Sequence, residues 1–364
     1  MKSLGVAFLA GLSISATANA YDINEQLSVD GVLAAAGQCQ EASSTADLDN
    51  SCRGAAPFQA QINFRPDEQN ALSFKLGFAA GDGLNRASAF ALAPWAADLE
   101  DDVENINGSG RDYLLTAWYQ HRFRFDETNE LKVTLGLIDS TDYLDDNVYS
   151  NDEYSQFMNQ ALVNAPNAFL PSYDLGAALE WEWNDWSLRG VYMNAGESHG
   201  GNDCDFFAAQ LGYRVQSSLG VGNYRLLAGT TSDGFPNRQA THSERRAMLI
   251  LSFDQELGRG LGGFLRLGWQ RDDAAVDYTA IYSGGIDVNG RYWGWTDHNI
   301  GLAYAYLEGG NGEIESTRVA EGYYRIAFDE HFALTADVQY MRDNIRYAQS
   351  PEGWILGLRG TVRF

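Results

Sequence analysis

Gly196-Glu197-Ser198-His199-Gly200 is a literal G-x-S-x-G. In a serine hydrolase that spacing sets the Ser on a sharp turn between a strand and a helix, where its hydroxyl is exposed for attack. Here a strand-like segment precedes it, but Gly201-Asn202-Asp203 and a second strand-like segment follow. The stretch reads as a hairpin loop, and catalysis is not expected. The five histidines (His121, His199, His242, His298 and His331) show no H-E-x-x-H or other metal-ligand spacing, and there is no phosphate loop or dinucleotide fingerprint. No metal and no cofactor are expected, and the chain does not read as an enzyme. Cys39 and Cys52 flank a short polar stretch, and a disulfide between them would suit an oxidising compartment. Cys204 stands apart from both.

The remaining polar residues of interest sit on strands. Alternation places Arg65, Lys75, Arg122, Arg124, Arg189, Arg225 and Arg266 on one face, and later Glu321, Arg325, Asp337, Gln339 and Arg359. Guanidinium forks and carboxylates gathered on one surface can hydrogen-bond sugar hydroxyls, or can solvate the wall and pair with one another.

The elements that position them have period two. Phe58, Ala60, Ile62 and Phe64 alternate with Gln59, Gln61, Asn63 and Arg65. Leu131, Val133, Leu135 and Leu137 alternate with Lys132, Thr134 and Gly136. Successive side chains on a strand point to opposite faces, so one face is apolar and the other polar. Strands are predicted near 27–36, 56–64, 71–80, 112–125, 130–139, 173–183, 186–195, 205–215, 221–231, 244–257, 262–271, 279–291, 297–307, 318–329, 332–342 and 353–364. The links after the second, fourth, sixth, tenth and fourteenth are tight. Those after the first, third and fifth are long and polar. An even strand count with alternating short and long links predicts an all-β fold: a transmembrane antiparallel β-barrel of about 16 strands, with short periplasmic turns and long extracellular loops. In such a barrel an Arg on the lipid face near the midplane would cost about 2–4 kcal/mol, so the basic set above faces the lumen. Trp181, Trp183 and Trp186 at one turn, and Trp293 and Trp295 at another, suit a membrane-interface girdle.

No stretch after Tyr21 approaches the ~18 apolar residues of a spanning helix. Lys2, the apolar run Leu4 to Ile14 and Ala18-Asn19-Ala20 read as an export signal over residues 1–20, with the barrel over 21–364. Trp354 to Phe364 alternates and ends on an aromatic, as expected of a strand recognised by the barrel assembly machinery. The expected location is the outer membrane of a Gram-negative cell, among lipid and lipopolysaccharide. A formal charge of −24 argues against nucleic-acid partners. Acidic runs such as Asp98 to Asp102 and Asp142 to Glu153 are expected in water on the loops, where they keep the chain soluble in transit or bind divalent cations. Within the third long loop, Tyr154, Phe157, Met158, Ala161 and Leu162 have helical spacing behind Asp152, a fitting N-cap. This predicts a short helix folded into the barrel.

Three stretches resemble the carbohydrate-selective porin family of the OprB type: Gln156-Phe157-Met158-Asn159-Gln160-Ala161-Leu162-Val163-Asn164 onward to Pro171-Ser172-Tyr173-Asp174-Leu175-Gly176; Tyr282-Ser283-Gly284-Gly285-Ile286-Asp287-Val288-Asn289-Gly290-Arg291; and Glu321-Gly322-Tyr323-Tyr324-Arg325 through Leu334 to Tyr340. Ala336 and Met341-Arg342-Asp343-Asn344 depart from the family pattern. The resemblance implies a sixteen-stranded passive pore for mono- or small oligosaccharides, as monomer or homotrimer. A general diffusion pore with weak ion preference is the alternative reading. An outer-membrane hydrolase or adhesin is a third.

Overall fold

The structure, a computed structural model, describes residues 21–43, 50–196 and 204–364. Sixteen long strands follow one another: β1 (Leu27–Ser43), β2 (Asn50–Phe64), β3 (Asn70–Ala80), β4 (Leu114–Arg124), β5 (Asn129–Ile138), β6 (Asp174–Trp183), β7 (Trp186–Ala195), β8 (Cys204–Ser217), β9 (Gly220–Thr231), β10 (Ala247–Glu256), β11 (Leu261–Gln270), β12 (Tyr278–Asn289), β13 (His298–Gly309), β14 (Ile314–Ala327), β15 (Phe332–Ile345) and β16 (Glu352–Arg363). Each pairs antiparallel with its chain neighbours, and β16 returns to β1 with Arg359 opposite Ala36 and Val362 opposite Leu33. Closure leaves no ladder edge unpaired, which a sheet in lipid requires. A two-residue strand, Tyr21–Asp22, folds back on β1.

The alternation maps onto the two faces. On β6, Leu175 is 64% exposed while Ala178 is 3% exposed. Leu135, Phe207, Leu265, Leu302, Leu356 and Leu358 are likewise exposed around the outside. A band of bared leucine and phenylalanine that runs round a whole molecule is stable against acyl chains and not against water. No helix among the described residues is long and apolar enough to cross a membrane. Trp181, Trp183 and Trp186 are exposed around the two-residue turn at Asn184-Asp185, with the Trp181 and Trp183 rings stacked at 6.1 Å. Asn184 takes φ 53°, the left-handed backbone that a two-residue hairpin loop needs.

Strands β1 and β2 run past their predicted ends, to Ser43 and from Asn50. Cys39 and Cys52 lie opposite each other in that added ladder and form the expected disulfide. Cys204 is buried at the start of β8. The signal segment lies outside the described residues, as does the Glu197 to Gly200 part of the G-x-S-x-G stretch.

Two long loops decide the interior. L2 (81–113) leaves β3 and carries one helical turn, α1 (Glu100–Val103); L3 (139–173) leaves β5 and carries another, α2 (Gln160–Val163). L3 enters the barrel as expected, but the helix behind Asp152 does not form. Asp152 caps only a turn, accepting from the amides of Tyr154 (2.9 Å) and Ser155 (3.1 Å). The chain then extends because Glu321 on β14 takes the Met158 and Asn159 amides, at 2.6 and 3.0 Å. Helix resumes only at α2, where the Asn159 side chain caps the Ala161 amide at 3.0 Å.

Candidate functional site

The site is the space that L3 leaves open, so the way the wall holds L3 comes first. L3 lands on β8 to β11. The Asp145 amide donates to Gln210 Oε1 at 2.9 Å, and Gln210 donates to Asp146 at 2.9 Å. Asn147 donates to Ser252 Oγ at 3.2 Å. Arg266 on β11 is wholly buried. It binds the Asp145 carboxylate at 2.8 Å and donates to the carbonyls of Ser150 (2.9 Å) and Val163 (3.2 Å). Gly262 on the same strand leaves room for the Tyr149 ring, which a Cβ there would strike. The loop then crosses to β14, β15 and β16. Asn159 donates to Gln339 Oε1 at 2.9 Å. Arg359 donates to the carbonyls of Glu153 (2.6 Å) and Gln156 (2.9 Å), and Arg363 pairs with Asp152 at 2.6 Å. Phe157 wedges between Tyr323 (ring centroids 5.0 Å) and Phe264 (5.9 Å). L2 closes over the top. Gln38 and Gln339 both donate to the Pro94 carbonyl, and the Trp95 indole donates to the Glu153 carbonyl at 3.0 Å.

This divides the expected lumen set. Arg225, Arg266, Glu321, Asp337, Gln339 and Arg359 are buried, at 9% exposure or less. Their place as solute-facing groups is corrected: the hydrogen bonds they make go to the loop, to the wall or to each other. Arg225, for example, pairs with Asp254 (2.6 Å) and Asp146 (2.9 Å). Asp337 accepts from Gln339 at 3.0 Å. Others border open space. Lys75 pairs with Asp142 at 3.4 Å, and Arg189 with Asp146 at 3.3 Å. Arg122 and Arg124 share Glu130, at 3.4 and 3.9 Å, toward the periplasmic end. Arg65 is exposed at the turn after β2 and lies past the strand itself. Arg325 points inward, half-buried, without a carboxylate at ion-pair distance among the described residues.

The acidic runs are the second correction. Asp98 and the stretch from Asp142 to Glu153 were expected in water on the outer loops; they lie within the barrel instead. Asp145 is fully buried, and Asp98 accepts from Tyr173 and Gln59, both at 2.6 Å. Burial pushes the Asp98 carboxyl up to about 6, with the negative charge of Asp102 adding to the rise and the Tyr173 hydroxyl opposing it. Asp139 is also raised to about 6, by burial and then by the charge of Asp142. Glu153 rises to about 8, by burial and then by the charge of Asp152. Lys75 is the cation that faces Asp98, Asp139 and Asp142 together. Sequence reading found Lys75 and Arg189 but missed their partners Asp142 and Asp146. The signal available was the density of acids in one loop that also carries apolar residues.

A model of the carbohydrate-selective porin, OprB family, matches residues 97–364. A protein of Aquifex aeolicus (strain VF5), described as uncharacterized, is 29% identical over 285 residues, which is 77% of this chain and 79% of that protein. Among solved structures, the high-pH structure of Pseudomonas putida OprB superposes with a TM-score of 0.71 at 12% identity, covering 93% of this chain and 94% of that one. The anion-selective porin from Comamonas acidovorans gives 0.56 at 12% identity, covering 93% and 99%. At such identities these likenesses speak for the fold alone. The three sequence stretches that resembled the family meet in space: the Asn159 of the first is held by the Glu321 and Gln339 of the third, and the Tyr323 hydroxyl of the third donates to Asp287 of the second at 2.8 Å.

Proposed function

We infer how the pore works from one premise: this chain belongs to the carbohydrate-selective porin, OprB family. It is an outer-membrane porin for carbohydrates, and its fold is that of a channel rather than an enzyme. Beyond this, our reading is that mono- or small oligosaccharides pass between L3 and the wall made by β2 to β7. The observation that supports it is the pairing of Lys75 with Asp142 and of Arg189 with Asp146 on that open side. Donors and acceptors then alternate along the path, so a hydroxylated solute can exchange water for weak, replaceable hydrogen bonds. Arg122 and Arg325 extend the series toward the periplasm.

The surplus of Asp98, Asp139 and Asp142 over Lys75 favours a second property, a preference for cations among small ions. We further propose that residues 1–20 are an export signal and that the barrel proper is 21–364. Phe364, whose amide and carbonyl both bond Gly31 at 3.1 and 2.9 Å, would present the last strand to the assembly machinery. The outer rim would contact lipopolysaccharide.

Swelling of liposomes that hold the purified protein tests the reading. Monosaccharides should enter faster than an amino acid of matched size. Rates ordered by size alone would reduce the protein to a general diffusion pore.

A further inference from the structure

L2 and L3 form an open pocket of about 280 Å³ that no barrel strand lines. Its polar wall is Asn85, Asp102, Thr141, Gln160, Asn164 and Ser172; Ala96, Pro166 and Leu170 supply apolar surface. It lies on the loop side, because every lining residue belongs to L2 or L3, which leave the extracellular ends of β3 and β5, and it borders the constriction, because Thr141 adjoins Asp142, the partner of Lys75.

The polar groups have capacity to spare. The Ala93 amide donates to Gln160 Oε1 at 3.2 Å, which leaves the NH₂ group of this lining residue with no partner among the described residues. Asn164 spends its NH₂ on Asn151 at 3.2 Å and keeps its carbonyl oxygen. Thr141 and Ser172 both donate to Asp139, at 2.7 and 3.1 Å, and keep hydroxyl lone pairs as acceptors. The wall thus offers one neutral donor group, several neutral acceptors, the Asp102 carboxylate and an apolar side. An anion would find no cation there, and an apolar ligand would strand the amides. A neutral polyhydroxylated ring satisfies both kinds of group. The volume lies at the lower edge of the ~300–1,000 Å³ typical of small-molecule sites, so one sugar ring fits and an oligosaccharide does not.

We propose that this cavity is an entry subsite that captures one sugar ring on the extracellular side before it reaches Lys75 and Asp142. The proposal rests on the carbohydrate-porin reading and adds a second, one-sided station to it. Gln160→Glu keeps the acceptor for Ala93 and removes the NH₂ donor, while Ala96→Leu fills the space from the opposite wall. Because transport is passive, detailed balance links the two directions. A slower approach from outside must come with an equally slower exit to the outside.

The test is single-channel recording in planar bilayers with glucose as probe, added to one face at a time, in channels of fixed orientation. Heat-modifiable migration on gels checks that each variant has folded. Glucose association from the extracellular face should fall at least fivefold in both variants, while association from the periplasmic face holds. Equal losses from both faces, or none from either, would overturn the subsite and leave the porin reading standing. If glucose interrupts the wild-type current from neither face, the sugar-porin reading fails and this inference falls with it.

Discussion

Replacing Arg266 with Met should undock L3 locally while leaving the barrel intact. The Met retains much of the apolar stem but none of the donors. Asp145, at 0% exposure, would keep the Ala165 amide as a donor at 2.9 Å and lose its counter-charge. The Ser150 and Val163 carbonyls would lose their partner too. Stranding one member of a buried ion pair costs about 3–5 kcal/mol. At about 1.4 kcal/mol per tenfold, the local opening constant rises between roughly a hundredfold and a few thousandfold. Amide hydrogen exchange reads that constant directly. Protection of the Ala165 amide should fall by at least two orders of magnitude, while the amides of the β11–β12 ladder keep theirs. Adding Asp145→Asn to Arg266→Met removes the stranded charge and should restore much of the loss. Wild-type protection at Ala165 in the single variant would refute the view that Arg266 latches the loop. So would a double variant no better than the single one.

Lys75→Gln removes the cation that faces Asp98, Asp139 and Asp142. The cation-to-anion permeability ratio, from reversal potentials across a tenfold KCl gradient, should rise at least threefold. The effect should grow at low salt, since screening acts over ~10 Å at 0.1 M. An unchanged ratio would remove Lys75 from the constriction. Glu153 has its pKa raised in the folded state to about 8, so its contribution to L3 docking is fully present below its ordinary value near 4.5 and is lost as pH rises through about 8. Open-channel noise should therefore increase from pH 6 to pH 9 in the wild type. Glu153→Gln, which cannot ionise, should flatten that dependence, and an unaltered profile in the variant would place the titration elsewhere.

All sixteen strands were legible because each alternates over a length that reads without any partner. The ends of β1 and β2 were not. Ala34-Ala35-Ala36-Gly37 contains no polar-apolar contrast, so the pattern fades where the ladder continues to the disulfide. The inward direction of the basic residues was legible too, from the cost of facing lipid. Their task was not. Asp145 and Arg266, or Asp146 and Arg189, lie far apart in sequence, and nothing local tells a carboxylate that its counter-ion waits across the lumen. The helix predicted behind Asp152 is cut down to Gln160–Val163 for the same reason. Helical spacing was present, but Glu321 offered the Met158 and Asn159 amides a stronger acceptor than the preceding turn could.

A single requirement explains why so many guanidinium groups face inward yet so few meet solute. Irregular backbone at membrane depth is tolerated only where its N–H and C=O groups find partners. L3 is almost wholly irregular, with one α-helical turn and one 3-10 turn at Ser140–Asp142, so its carbonyls need donors from the wall. Arg provides five donors in a planar fork, enough for one side chain to serve several carbonyls. Arg266 does this at Ser150 and Val163, and Arg359 at Glu153 and Gln156. Lys carries three donors on one compact head and cannot span carbonyls as widely spaced as the guanidinium fork can. Lys75, by contrast, pairs with a single carboxylate, Asp142 at 3.4 Å, and space lies open beside it. The fully buried Arg266 and Arg359 thus mark how firmly the pore is narrowed rather than how tightly it holds sugar.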